Sequence, residues 1–158
     1  MLSYEEMSKH SRVWIYQSNR EFNEREVKEI NFLAEHFADS WSSHGADLKA
    51  HISVFHQRFI VVMVDEQQAG ASGCSIDKSF GFIRDLQKRY SIDLLNRMTV
   101  AYWDEDGRVQ TCRLDEITKL LEHSLINEDT IVFNNLVKDK AELESNWQIL
   151  LRNSWILQ

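Results

Sequence analysis

The chain has 158 residues, of which 43% are hydrophobic and five are tryptophan, a composition typical of one globular domain. Its formal net charge of −7 and isoelectric point near 5.3 argue against a protein that binds nucleic acid, because phosphate binding depends on clustered lysine and arginine. No apolar stretch approaches the roughly 18 residues that span a bilayer, so membrane insertion is not expected.

The cysteine content and the first residues indicate a cellular compartment. Cys74 and Cys112 stand in unrelated contexts and predict neither a disulfide framework nor a zinc site. Residues 1–10 lack the apolar core of a secretory signal peptide. A cytoplasmic protein with reduced thiols and no cofactor is the simplest interpretation. The absence of proline and the small number of glycines, five, predict one domain over residues 1–158.

The first predicted elements are a strand and a long helix. Residues 12–17 are rich in β-branched and aromatic side chains and predict a strand. Asn23 and Glu26 form the sequence pattern of a capping box, and we expect the helix to end at a cap formed by residues 43–45. Its buried stripe is predicted from apolar residues at helical spacing: Val27, Ile30, Leu33, Ala34, Phe37 and Trp41.

A hairpin and a second helix come next. Residues 49–56 alternate between apolar and polar, which predicts a half-buried strand near the edge of a sheet. The following stretch, residues 59–64, is apolar throughout and predicts a strand that is covered on both faces. A loop of small residues then leads into helix two, for which Ser75 is the predicted N-cap.

The second half of the chain predicts a hairpin, a helix, a strand and a last helix. Gly107 supplies the positive φ that the hairpin turn requires. The apolar tail, residues 155–157, should dock on this chain or on a partner. The predicted elements are strand four (97–103), strand five (108–113), helix three capped by Asp115, strand six (130–137) and helix four from Asp139 to Leu151.

This order, βαββαβ followed by a βαβα extension, predicts an α+β fold with a mixed, largely antiparallel sheet. The first six elements match the ferredoxin-like plan, in which strands one and three are central and strand two lies at an edge. The residue patterns agree with that plan, because strand three has no polar face and strand two alternates. Strands four and five would extend the same sheet.

The segment 70–79 is the predicted functional site, because a flexible loop of small residues joins a buried strand to a helix start. Unpaired N–H groups and the positive end of the helix dipole suit a small anionic ligand there. His44 and Arg58 would contribute from neighbouring loops. The loop and helix residues predicted to contact the ligand are Ser72, Gly73, Ser75, Lys78 and Ser79.

Cys74 supports an alternative from a different class, a thiol-dependent enzyme. A thiol at a helix N-terminus can act as a nucleophile when a histidine serves as its base. His44, His51 and His56 are the candidates for that base, although their spacing does not place them on one face and so does not predict a zinc site. No set of residues completes a mechanism, and we favour a binding protein.

Two further alternatives remain. Residues 73–79 resemble a P-loop, but Asp77 occupies the position of the second glycine, where a carboxylate repels phosphate. A degenerate nucleotide binder is therefore one hypothesis. A structural homo-oligomer or adaptor, joined through a sheet edge or the apolar tail, is the other.

The sequence resembles a family of small bacterial proteins of unknown function. Three stretches carry the resemblance: residues 14–20, the Trp41 to Gly45 turn and residues 71–79. The resemblance covers about the first two thirds of the chain. Members of that family often carry the automatic label "ABC transporter ATPase", which implies a nucleotide-binding subunit. An ABC ATPase has an intact P-loop, a Leu-Ser-Gly-Gly-Gln-type signature and a downstream acidic strand end; this sequence has none of them, so its motifs do not support the label.

Overall fold

The structure is a computed structural model in which residues 1–67 and 69–157 are described. The described residues form four α-helices: α1 Glu24–Ser40, α2 Gly73–Tyr90, α3 Ile117–Glu122 and α4 Lys140–Asn146. They also form nine strands: β1 Arg12–Gln17, β2 Ser42–Ser43, β3 Ala46–Asp47, β4 Lys49–Phe55, β5 Phe59–Asp65, β6 Thr99–Trp103, β7 Val109–Arg113, β8 Ile131–Phe133 and β9 Gln148–Leu150.

The nine described strands form three antiparallel sheets. Sheet 1 has the order β1-β5-β4, sheet 2 is the short β2-β3 hairpin, and sheet 3 has the order β7-β6-β8-β9. The predicted α+β class is therefore confirmed, whereas the predicted single mixed sheet is wrong, because every described strand pairing is antiparallel and the strands form three sheets. The prediction that strands four and five extend the first sheet is wrong, because β6 and β7 pair with each other in sheet 3.

Sheet 1 has β5 at its centre, and every residue from Phe59 to Val64 is buried. Its even-numbered residues pack with α1 and α2, and its odd-numbered residues pack with sheet 3 and α4. Because side chains alternate along a strand, a strand between two layers must be apolar on both faces. The sequence-based prediction for this strand is confirmed.

The ferredoxin-like order is not found in sheet 1. That order needs a fourth strand beside β1, and β6 would be the strand to fill the place, but it lies in sheet 3. Part of the outer edge of β1 is already used, since Arg12 forms an isolated antiparallel bridge with Asp139. Sheet 1 therefore keeps three strands.

The first helix begins as predicted. The Asn23 side chain accepts a hydrogen bond from Glu26 N–H (2.8 Å), and the Glu26 carboxylate accepts one from Asn23 N–H (3.1 Å). Hydrogen bonds from Arg20, together with the bond from Asn23 N–H to the carboxylate, lower the pKa of Glu26 to about 2. The predicted end is wrong: the helix stops at Ser40, and the positive φ angles of His44 and Gly45 form the turn of the β2–β3 hairpin instead.

Two other predicted helix starts need correction. Ser72, not Ser75, is the N-cap of α2, because the Ser72 side chain accepts the hydrogen bond from Ser75 N–H. Asp115 does not cap α3; its carboxylate pairs with Arg113, and a 3-10 turn over Leu114–Glu116 precedes the helix.

The last predicted helix is shorter than expected. Helix α4 ends at Asn146, and the next residues form β9, which pairs with β8. The Trp147 carbonyl accepts a hydrogen bond from Asn134 N–H (2.6 Å), so the chain leaves the helix to join sheet 3. Apolar residues at helical spacing do not distinguish a long helix from a short helix followed by a strand.

The described residues form three apolar cores that hold the layers together. The first lies between sheet 1 and the helices α1 and α2, and the second lies between sheet 1 and sheet 3. The third lies on the other side of sheet 3, against α3 and the C-terminal segment, and includes the partly buried Ile156 of the apolar tail. The edge strand β1 is joined to sheet 3 by the hydrogen bond from Gln17 Nε2 to Thr99 Oγ1 (3.1 Å).

Candidate functional site: a cleft at the open edge of β1

The hydroxyl groups of the predicted 70–79 site serve the local structure of α2. Ser72 caps the helix, and the Ser75 hydroxyl donates to the Ser72 carbonyl oxygen (2.9 Å). The Ser79 hydroxyl donates to the Ile76 carbonyl oxygen (2.7 Å). Because these bonds occupy groups that were expected to meet an anion, the local geometry favours a helix start over a ligand loop.

The remaining predicted site residues do not form one cluster. Gly73, Cys74 and Lys78 are exposed, as is His44 in the β2–β3 turn. Arg58 lies before β5, whereas the 70–79 loop follows it. A seven-residue strand separates them by about 20 Å. In the described part of the chain no hydrogen bond joins Cys74 to a histidine, so the thiol-enzyme hypothesis remains a prediction.

A cleft of about 300 Å³ lies along the edge of β1 that faces away from β5. We call it the β1 cleft. Residues 13–17 of β1 form one wall. The other lining residues are 94–97, 99 and 100 before and within β6, Phe133 at the end of β8, Asn135 and Leu136 after it, and Trp155. This volume lies at the lower end of the range of small-ligand sites in proteins.

A chain of four side chains fixes the polar groups of the β1 cleft. Trp147 Nε1–H donates to Asn135 Oδ1 (3.0 Å), and because an indole nitrogen can only donate, the Asn135 amide orientation is determined. Asn135 Nδ2 then donates to Gln17 Oε1 (2.9 Å), and Gln17 Nε2 donates to Thr99 Oγ1 (3.1 Å). The Thr99 hydroxyl accepts a hydrogen bond from Gln17, so its own hydrogen is free to be donated. No described residue accepts that hydrogen. The cleft thus offers hydrogen-bond donors.

The backbone of β1 adds a second set of polar groups. Val13 N–H donates to the Lys138 carbonyl oxygen (2.9 Å) on the outer side of the strand. Because an antiparallel strand turns its N–H and C=O groups outward at every second residue, Ile15 N–H and C=O also point outward, into the cleft. Among the described residues, neither group has a hydrogen-bond partner.

A cation and an apolar rim complete the β1 cleft. Arg97 is exposed and forms no ion pair with the described residues. Burial raises the pKa of the Tyr16 phenol, and the nearby Arg97 guanidinium opposes that rise. Two large apolar side chains line the cleft and remain exposed: Leu136 is 64% exposed and Trp155 is 45% exposed. Exposed apolar residues beside unpaired polar groups are a common feature of binding sites.

A second hollow, of about 520 Å³, lies near the β4–β5 turn and includes His56. The rest of its wall carries charges of both signs, from Glu21, Asp106, Arg58 and Arg108. The ring centroid of His56 lies 5.2 Å from that of Trp103, 5.4 Å from that of Trp147 and 5.7 Å from that of Phe133. Although the residue as a whole still contacts solvent, this partial burial lowers the pKa of the His56 imidazole.

His56 should make stability depend on pH. Its folded pKa lies below the unfolded value of about 6.5, so the unfolded chain binds more protons as the pH falls through 6.5. The contribution of His56 to stability is then fully present above pH 6.5 and is lost as the pH falls toward the folded pKa. We expect His56→Asn, which suits the positive φ of 53°, to flatten this dependence. The difference between the urea unfolding midpoints at pH 7.5 and pH 5.5 measures this pH dependence.

The matched control for His56 is His10→Asn, because His10 is exposed. This variant should keep the wild-type fall in midpoint between pH 7.5 and 5.5. The carboxylates with lowered pKa values, such as Glu26 and Asp104, lose their contribution at lower pH and do not interfere. An unchanged pH dependence in His56→Asn would show that the ring does not sense protonation in this window.

No protein family, curated protein or solved structure matches this chain. The resemblance seen in the sequence motifs therefore stays a prediction. Within residues 1–67 and 69–157, no helix is long and apolar enough to cross a membrane. The same residues contain no group of three or more histidine, cysteine or acidic side chains placed to hold a metal ion.

Proposed function

We propose that this protein binds a small anionic ligand, with a carboxylate group and an apolar body, in the β1 cleft. The observation that carries the proposal is the hydrogen-bond chain from Trp147 to Thr99, which leaves a donor at the cleft wall. The sequence-based expectation of a small anionic ligand is retained, but the site moves from residues 70–79 to the edge of β1.

The polar side chains of the β1 cleft favour an acceptor over a donor. These residues line the cleft, and the Thr99 hydroxyl, the second amide hydrogens of Gln17 and Asn135, and the Arg97 guanidinium can each donate a hydrogen bond. Gln17 is itself only 8% exposed, so its amide is held in place before a ligand arrives. Hydrogen bonds to a charged acceptor are stronger than those between neutral groups, and a carboxylate would use several of these donors at once. The apolar body would contact Leu136 and Trp155.

Thr99→Val tests the hydroxyl at nearly constant side-chain volume. N-acetyl-leucine serves as the probe, because it combines one carboxylate with one apolar side chain. We expect the variant to bind it at least about tenfold more weakly, since a hydrogen bond to a charged group contributes about 1.5–3 kcal/mol. Titration calorimetry, or the change in tryptophan fluorescence expected from Trp155, measures the dissociation constant.

The matched control is Thr118→Val, because Thr118 is exposed on α3 and lies outside the cleft wall. It should bind the probe as the wild type does. Equal affinity of Thr99→Val and the wild type would contradict the role of the hydroxyl. A wild-type protein that shows no saturable binding of N-acetyl-leucine would contradict the proposed function.

A further inference from the structure

The outer edge of β1 is hydrogen-bonded to a neighbouring segment, residues 138–140, along only half of its length. The Arg12–Asp139 bridge holds the first half, through bonds from Val13 N–H to Lys138 O and from Lys140 N–H to Ser11 O. Beyond Val13 the neighbouring chain turns away, and a bond from Val137 N–H to Asn134 O closes that turn. The open half of the edge, from Val13 C=O to Gln17, forms the floor of the β1 cleft.

We propose that the ligand of the β1 cleft is the carboxy-terminal end of an extended peptide, which adds to the open half of β1 as a short strand. The proposal rests on the proposed function and names its ligand class. Addition of a peptide to a sheet edge uses main-chain hydrogen bonds for affinity and side-chain pockets for selectivity. Ile15 offers one N–H and one C=O for this purpose.

The charges of the cleft set the direction of the peptide. Thr99 is bonded to Gln17, the last residue of β1, and the Arg97 side chain lies near Tyr16. The carboxylate therefore belongs at the Gln17 end, and the peptide runs parallel to β1. Asn135 is also hydrogen-bonded to Gln17, and Leu136 is the next residue, so Leu136 lies at the Gln17 end of the cleft. It would contact the side chain of the last peptide residue.

The shape of the cleft favours a chain end over a second copy of this protein. Residues 94–100 and the 133–136 turn flank the open edge, so another folded sheet would collide with these walls. The net charge of −7 also opposes self-association. An open edge of about three residues, near 10 Å, matches a tripeptide.

In this parallel arrangement the two main-chain bonds of Ile15 can be assigned. Ile15 N–H donates to the carbonyl of the third residue from the peptide end, and Ile15 C=O accepts from the N–H of the last residue. For the probe acetyl-Gly-Val-Leu, these are the Gly carbonyl and the Leu N–H. N-methylation of Leu removes one bond, and replacement of the terminal carboxylate by an amide removes the charge.

The test is titration calorimetry of the wild-type protein with four probes. We expect acetyl-Gly-Val-Leu to bind most tightly. Its C-terminal amide, its N-methyl-leucine version and N-acetyl-leucine should each bind about tenfold more weakly. If N-methylation has no effect, or N-acetyl-leucine binds as well as the tripeptide, the peptide inference is wrong while the proposed function stands. If no carboxylate probe binds saturably, both fail.

A protein variant gives an independent measurement. In Ile15→Pro the lost N–H faces the cleft, while the bonds between β1 and β5 come from even-numbered residues and are kept. We expect the affinity for acetyl-Gly-Val-Leu to fall about tenfold and that for N-acetyl-leucine to change little. A variant that binds the tripeptide as the wild type does would overturn the inference. If the variant does not fold, the N-methylated probe still decides.

Discussion

Arg58→Met is expected to lower the free energy of unfolding by about 3–5 kcal/mol. The Arg58 guanidinium is buried between the two large sheets, where it donates to three main-chain carbonyls and one hydroxyl. The acceptors are Ser18 O (3.1 Å), Asn19 O (3.1 Å), Val109 O (2.8 Å) and Thr111 Oγ1 (2.9 Å). Methionine fills much of the space but leaves all four acceptors without this donor.

The size of the effect follows from where these acceptors lie. Ser18 and Asn19 follow β1 in sheet 1, whereas Val109 and Thr111 belong to β7 in sheet 3. One side chain therefore joins the two sheets, and its loss weakens the interface as well as the individual hydrogen bonds. Burial lowers the pKa of Arg58, yet a guanidinium remains protonated at neutral pH, so the four bonds are charge-assisted.

Arg25→Met is the matched control for Arg58. The Arg25 side chain is 76% exposed, and its ion pair with Glu29 (3.6 Å) is a surface pair, which contributes little. Thermal unfolding should show a midpoint about 10 °C lower for Arg58→Met and within about 2 °C of the wild type for Arg25→Met. Similar midpoints for the two variants would show that Arg58 does not hold the sheets together.

Local patterns predicted the longer helices and strands of this fold but not the short strands β2, β3 and β9, and they predicted pairing between distant strands poorly. The capping box of α1 and the fully apolar β5 depend on neighbouring residues, so the sequence contains their signal. The outer edge of β1, where the ferredoxin-like order would place another strand, is bridged by Asp139, which lies more than 100 positions away. No periodicity reports such a contact, and the ferredoxin-like order failed at that point.

The β1 cleft could not be assembled from the sequence for the same reason. Gln17 and Asn135 are separated by 118 positions and meet only after sheet 1 and sheet 3 have packed. The sequence did contain one weak signal. Gln17 ends an apolar strand and Asn135 follows one, and a polar group that is buried at such a place needs a hydrogen-bond partner. Arg58 was predicted as a ligand contact, but the structure gives it hydrogen bonds within the protein. A charged residue in sequence does not reveal whether it is buried.

Lys140→Met is expected to cost about 2–4 kcal/mol of stability and to release the N-terminal segment. Lys140 is 6% exposed, and its Nζ donates to Tyr4 O (2.8 Å) and Met7 O (2.9 Å). The ammonium also lies 4.2 Å from the centroid of the Tyr4 ring. Replacement by methionine leaves both carbonyls without this donor, so residues 1–11 should lose much of their protection in hydrogen–deuterium exchange.

Lys138→Met is the matched control for Lys140, because Lys138 is exposed and only two residues away. It removes the same charge and adds the same side chain, so it should keep wild-type stability and wild-type exchange in residues 1–11. Burial and the neighbouring Glu144 carboxylate raise the pKa of the Tyr4 phenol to about 12, so Tyr4 stays neutral in both variants at neutral pH. Equal exchange in the two variants would contradict the anchoring role. Faster exchange in Lys140→Met alone would show that one buried ammonium fastens the start of the chain to α4.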